Sequence, residues 1–106
     1  MGVYAGAAGG DGVRQEDTKI LRAALNRYGI KRQIAKLNEE FHELGVLLSH
    51  AAEGRGGDRR HIAEEIADCR IMLDQMEIYF AVKDECGRQR AYKLNRLEKR
   101  LTKNGG

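Results

Sequence analysis

Two acidic pairs stand out by type and spacing. Glu40 and Glu43 lie at i, i+3, and so do Glu65 and Asp68 in the second half of the chain. Carboxylates at this spacing fall on one side of a helix. Brought together, the four would form an all-oxygen site for a hard divalent ion, Mg²⁺ or Mn²⁺. Without a cation they would repel one another, because like charges at helical spacing destabilise. The plainer alternative is an acidic shoulder on an ordinary hairpin, bathed in water.

The pairs belong to a repeat. Leu37-Asn38-Glu39-Glu40-Phe41-His42-Glu43-Leu44-Gly45-Val46-Leu47-Leu48 is matched 25 residues on by Ile62-Ala63-Glu64-Glu65-Ile66-Ala67-Asp68-Cys69-Arg70-Ile71-Met72-Leu73. The apolar positions coincide as well as the acids, and both copies have helical periodicity. On a wheel of about 100° per residue, Leu37, Phe41, Leu44 and Leu48 form one stripe, with Glu40 and Glu43 to one side of it. The second copy places Glu65 and Asp68 in the same way beside Ile62, Ile66, Cys69 and Leu73. Glu39 and Glu64 point away. Each acidic pair is therefore expected on the shoulder of a buried face.

The link Ala52-Glu53-Gly54-Arg55-Gly56-Gly57-Asp58 is a turn by composition, and Asp58 is a candidate N-cap. So short a link makes the two helices antiparallel neighbours. A turn centred near Gly54 to Gly56 sets Glu40 level with Asp68 and Glu43 level with Glu65, to within about one helical turn.

These residues resemble a known motif. Glu39-Glu40-Phe41-His42-Glu43, followed after a short gap by Glu65-Ile66-Ala67-Asp68, fits the E-E-x-x-E … E-x-x-D pattern of the MazG-like, all-α nucleoside triphosphate pyrophosphohydrolases. The resemblance runs from about Gly29 to Leu101 and is to the short, single-domain versions found in phage-related genomes. It implies an enzyme, a Mg²⁺-dependent hydrolase that converts a (deoxy)nucleoside triphosphate to the monophosphate and pyrophosphate. It implies Glu40, Glu43, Glu65 and Asp68 as metal ligands, and a homo-oligomer. Glu39 fits the motif but points outward, so its role stays open.

The rest of the chain must position these groups. Its 106 residues make one domain, without Pro or Trp and with few aromatics, as suits an all-α, four-helix bundle. Residues 1–15 are Gly- and Ala-rich and read as a flexible tail, leaving residues 16–103 as the helical domain. Asp17 is expected to cap a first helix that ends at Gly29. A second helix runs from about Ile30 to Glu53, a third from Arg59 to Phe80, and a fourth begins at the cap Asp84 and ends near Thr102. Gly45, inside the second helix, costs about 1 kcal/mol against Ala, which points to close packing by a neighbour. Val46 and Ile71 form a second apolar face that a partner subunit would cover. No stretch is long and apolar enough to span a membrane, and no secretory signal is present. Two cysteines, Cys69 and Cys86, make no disulfide framework. A cytoplasmic address is expected.

The formal net charge is +3, with acid concentrated mid-chain and base at the end. The fourth helix has an apolar line, Ala91, Leu94, Leu97 and Leu101, and beside it a basic line, Lys93, Arg96 and Arg100. Lys93 and Arg96 are candidates for holding the substrate's phosphates, since an anion beside four carboxylates needs cations. The resemblance supplies a basic cluster on the last helix for the same purpose. The alternative for this helix is a non-enzymatic module binding nucleic acid or a partner, but it lacks interleaved aromatics and a helix-turn-helix pattern. A purely structural oligomerisation bundle is a third reading. Glu39 and His42 spell Glu-x-x-His, as in di-iron bundles, but Ala67 stands where the second histidine is needed. His61, near the turn, reads as a surface residue.

Overall fold

The computed structural model describes residues 15–103. The Gly- and Ala-rich tail expected before Gln15, and residues 104–106, lie outside the described residues. Four helices follow one another: α1 (Gln15–Tyr28), α2 (Ile30–Ala52), α3 (Arg59–Phe80) and α4 (Lys83–Lys103). Among the described residues there is no strand.

Local chemistry accounts for the breaks. Gly29 takes φ 85°, a conformation that other residues resist, and separates α1 from α2. Asp58 caps α3, its carboxylate accepting from the Arg60 backbone N–H at 3.0 Å. The turn before it folds back onto α2. A Cβ on Gly57 would stand 2.9 Å from Ala51 Cβ, and φ there is 122°, so both space and backbone require glycine. Between α3 and α4, Ala81 adopts the left-handed conformation, and the N–H groups of Ala81 and Val82 donate to the carbonyls of Ile78 and Glu77.

Two expected caps are not caps. Asp17 and Asp84 lie inside the first turns of α1 and α4, because those helices begin at Gln15 and Lys83. There they complement the helix dipole instead of closing the helix end.

α2 and α3 form the closest-packed pair, an antiparallel hairpin, and α1 packs across both. A buried hydrogen bond from Gln33 Nε2 to Gln75 Oε1, 2.7 Å long, ties the far end of the hairpin. Gln33 and Gln75 stand at equal chain distance from Gly54. Glu40 and Asp68 do too, as do Glu43 and Glu65, so this bond fixes the expected levels.

The buried faces are rotated from the expected stripes. In α2 the buried residues are Gln33, Leu37 and Glu40, and in α3 they are Cys69, Met72 and Gln75. Phe41, Leu48 and Leu73 remain over 40% exposed. Glu40 therefore lies in the helix–helix contact and not on its shoulder. The cause is polar pairing across the hairpin, which turns both helices toward their glutamines and glutamates.

α4 stands off this three-helix body. It touches only α3 and has no buried residue. Its contacts are near the joint, where Lys83 and Cys86 lie beside Asp74 and Glu77. Leu94, Leu97 and Leu101 are about half exposed, as are Val46 and Ile71 on the hairpin. The neighbour expected at Gly45 is not supplied by this chain: nothing lies within 4 Å of where its Cβ would be.

Candidate metal centre

The centre is built by the hairpin alone. On α2, Glu40 lies one helical turn after Lys36 and one before Leu44, within the contact with α3. On α3, Glu65 lies between Ile62 and Cys69. Antiparallel packing brings Glu43 of α2 to the level of Glu65. Glu40, Glu43 and Glu65 each offer an oxygen, and these atoms all lie within 4.8 Å of one another. Glu40 is buried, Glu65 partly buried and Glu43 exposed, so the cluster runs from the helix contact to the surface.

Asp68 stands at the edge. It is exposed and outside the group of three, yet its charge bears on both Glu65 and Cys69. Glu39 points outward as expected and meets Lys36 at 3.7 Å.

Two carboxylate oxygens carry the chemical argument. Glu40 Oε1 and Glu65 Oε1 are buried and have no hydrogen-bond partner. A buried acceptor without a donor costs about 1–3 kcal/mol, and more when charged. The Glu40 side chain is only 9% exposed. The neighbours are acceptors too, so the deficit is one of positive charge. Burial pushes the Glu65 carboxyl above its ordinary pKa, reinforced by hydrogen bonding to Glu40 and by the charges of Glu40, Glu43 and Asp68. Burial, then the charges of Glu40, Glu65 and Asp68, likewise raises the Cys69 thiol and keeps it a neutral core group. An all-carboxylate donor set with inward, unsatisfied oxygens fits a hard divalent cation.

Four residues here were missed by sequence reasoning. Lys36 Nζ lies 3.3 Å from Glu40 Oε2, and Glu40 raises the Lys36 pKa, first by hydrogen bonding and then by charge. His61 Nε2 lies 3.7 Å from Glu65 Oε2. Gln33 and Gln75 are buried as a pair. The signal for the first two was the repeat itself, because Lys36 and His61 occupy equivalent places in it.

Lys93 and Arg96 are not brought to the carboxylates within one chain. α4 makes no contact with α2, both side chains are exposed, and the Arg96 guanidinium lies 5.6 Å from the Tyr92 ring on its own helix. A groove of about 510 Å³ lies on the outer side of α2, lined by Phe41, His42, Gly45, Val46 and His50 among others, and contains none of the four carboxylates. Among the described residues, no helix is long and apolar enough to cross a membrane. No known protein family, curated protein or solved structure matches this chain.

Proposed function

We propose that the hairpin binds divalent cations, Mg²⁺ or Mn²⁺, through Glu40, Glu43 and Glu65 with Asp68 at the rim, and that the protein is a nucleoside triphosphate pyrophosphohydrolase. The observation that carries the cation site is the pair of buried, unpartnered oxygens on Glu40 and Glu65, placed by a repeat on two helices. The reaction class rests on the resemblance of the same residues to the MazG-like motif.

When bound, the cation would neutralise phosphate charge and acidify water. Glu40, Glu43 and Glu65 would hold it at the floor of the site. Asp68 is the carboxylate left at the open edge, where it can take the proton of the attacking water. The water oxygen bonds to the α-phosphorus as the bond from that phosphorus to the bridging oxygen breaks. Pyrophosphate leaves, and the proton resides on Asp68.

The phosphate chain also needs cations. Lys93 and Arg96 have the right type but stand on a helix with no place to pack in its own chain. We propose that the protein is a homo-oligomer in which α4 of one copy lies on the α2–α3 hairpin of another. The apolar line of α4 would cover Val46, Ile71 and the open space at Gly45. Its basic line would then face the carboxylates of that second copy. For the half-exposed Leu94, Leu97 and Leu101, burial would contribute roughly 1 kcal/mol each.

A panel of ribo- and deoxynucleoside triphosphates with Mg²⁺, assayed for both pyrophosphate and monophosphate, tests the function. Stoichiometric release of the two products from at least one nucleotide is expected. The exposure of α4 also favours a second reading, a nucleic-acid-binding helix. Tight, salt-sensitive DNA or RNA binding with no turnover of any nucleotide would replace the enzyme by that module.

A further inference from the structure

The repeat that duplicates the carboxylates also duplicates a nitrogen beside each. Lys36 and His61 precede the buried glutamate of their own helix by four residues, one helical turn. Lys36 Nζ faces Glu40 Oε2 at 3.3 Å, and His61 Nε2 faces Glu65 Oε2 at 3.7 Å. In both glutamates the opposite oxygen, Oε1, is the buried and unpartnered one. The same division between the two oxygens occurs twice, on helices of different sequence.

From this coincidence we infer that His61 is a positioning residue of the metal centre. It holds Oε2 of Glu65 toward the rim, so that Oε1 stays turned inward, as Lys36 does for Glu40. The inference rests on the cation-site reading above. A glutamate has several rotatable bonds, and Glu65 lies close enough to the surface to swing into water. With the outer oxygen anchored, the inner one is in place before an ion arrives, and less ordering is left for binding to offset. His61 is 53% exposed, so removing it opens no cavity in the core.

The sign of the effect distinguishes positioning from mere charge. A positive group near a cation site opposes the cation, so simple electrostatics has binding unchanged or tighter once His61 is lost. Positioning has binding weaker. The experiment is Mn²⁺ titration of the full chain, followed by calorimetry and by the paramagnetic resonance of free Mn²⁺, for wild type, His61→Ala and His61→Lys. The expected result is roughly tenfold weaker Mn²⁺ binding in His61→Ala, in line with the loss of a group that orients a metal ligand. Metal-free melting should stay at the wild-type temperature. His61→Lys should recover most of the affinity, because Lys serves at the equivalent place in the first copy.

Unchanged or tighter Mn²⁺ binding by His61→Ala overturns the inference and leaves the metal centre standing. So does a His61→Lys variant that binds as weakly as His61→Ala, or a loss of affinity accompanied by a fall in metal-free melting temperature. Absence of Mn²⁺ binding by the wild type overturns the centre, and the inference with it.

Discussion

In the metal-free chain, Glu40 Oε1 and Glu65 Oε1 are two acceptors with no donor between them. Glu40→Gln replaces one oxygen by an amide nitrogen, which can donate to Glu65. The change removes a buried repulsion and satisfies an orphan, against the loss of an i, i+4 pair with the half-exposed Lys36. Exposed pairs of that kind contribute about 0.3–0.5 kcal/mol, whereas a buried unsatisfied acceptor costs about 1–3 kcal/mol. Metal-free stability should therefore rise by about 1 kcal/mol, equivalent to roughly 4–8 °C in Tm for a domain of this size. Mn²⁺ should no longer shift the melt, and turnover should be lost. Calorimetry with and without Mn²⁺ checks both halves, and a lower metal-free Tm would mean that Lys36 outweighs the buried oxygens. The pH dependence follows from the same carboxyl. Glu65 is raised above its ordinary pKa of 4.5, as burial also raises Asp74 and Glu77. A carboxyl with a raised folded pKa favours the folded state while it is protonated. That contribution is complete below the unfolded pKa and is lost as pH rises through the folded one. The metal-free Tm should fall as pH rises from about 4.5 toward neutrality, a range set by the ordinary carboxylate value. Mg²⁺ should flatten the part due to Glu65, because a bound cation favours the ionised form. A metal-free Tm that climbs over this range would contradict the raised carboxyls.

The hairpin depends on one polar bridge that competes with hydrophobic packing. Gln33 and Gln75 are buried against each other, and Gln75 Nε2 also donates to Met72 Sδ at 3.7 Å. Gln33→Leu strands an amide and should cost about 1–3 kcal/mol. Gln33→Leu with Gln75→Leu removes both partners and should recover most of that loss. A double-mutant cycle in urea measures the coupling, and strictly additive losses would show that the bridge is not a unit. This pair also explains what the sequence left hidden. Helix ends at Gly29 and Asp58 were legible because a glycine turn and an N-cap act through neighbours in the chain. The levels of the acids were legible because a short turn transmits register. The buried face was not, because a wheel that scores only apolar residues centres on Phe41 and Leu48. The contact is centred instead on residues whose partners are far along the chain, such as Gln33 with Gln75. The same blind spot put Glu40 on the shoulder when it lies in the contact, and passed over Lys36 and His61. At the other joint, Ala81 holds a left-handed conformation that disfavours a Cβ. It is exposed, so Ala81→Gly sacrifices no packing. Relief of the backbone strain exceeds the added unfolded-state entropy, and stability should rise by about 0.5–1 kcal/mol in chemical denaturation. A loss would place the cost of that turn elsewhere.

A helix of 21 residues with no buried side chain derives little stability from its own chain. The apolar line along α4 was readable from its spacing. Where it packs was not, since periodicity describes a face and not its partner. If α4 docks on the hairpin of a second copy, each site joins carboxylates from one chain to Lys93 and Arg96 from the other. In a two-fold dimer the exchange is reciprocal. The carboxylate variant Glu40→Gln and the double variant Lys93→Ala with Arg96→Ala should each be inactive alone. Mixed through an unfolding and refolding step at equal amounts, half of the dimers contain one of each. In such a dimer one site inherits both defects and the other inherits none. Activity should therefore return to about one quarter of wild type, as random pairing in a symmetric dimer requires. Cations acting within their own chain give the opposite outcome, because every site then carries a defect and the mixture stays inactive. Pyrophosphate release from the mixture, set against each variant refolded alone, reads the difference directly. Sedimentation of Leu94→Glu, which puts a charge on the apolar line, supplies the physical counterpart. That variant should run as a monomer and lose turnover while its Mn²⁺ site, built by α2 and α3 alone, remains.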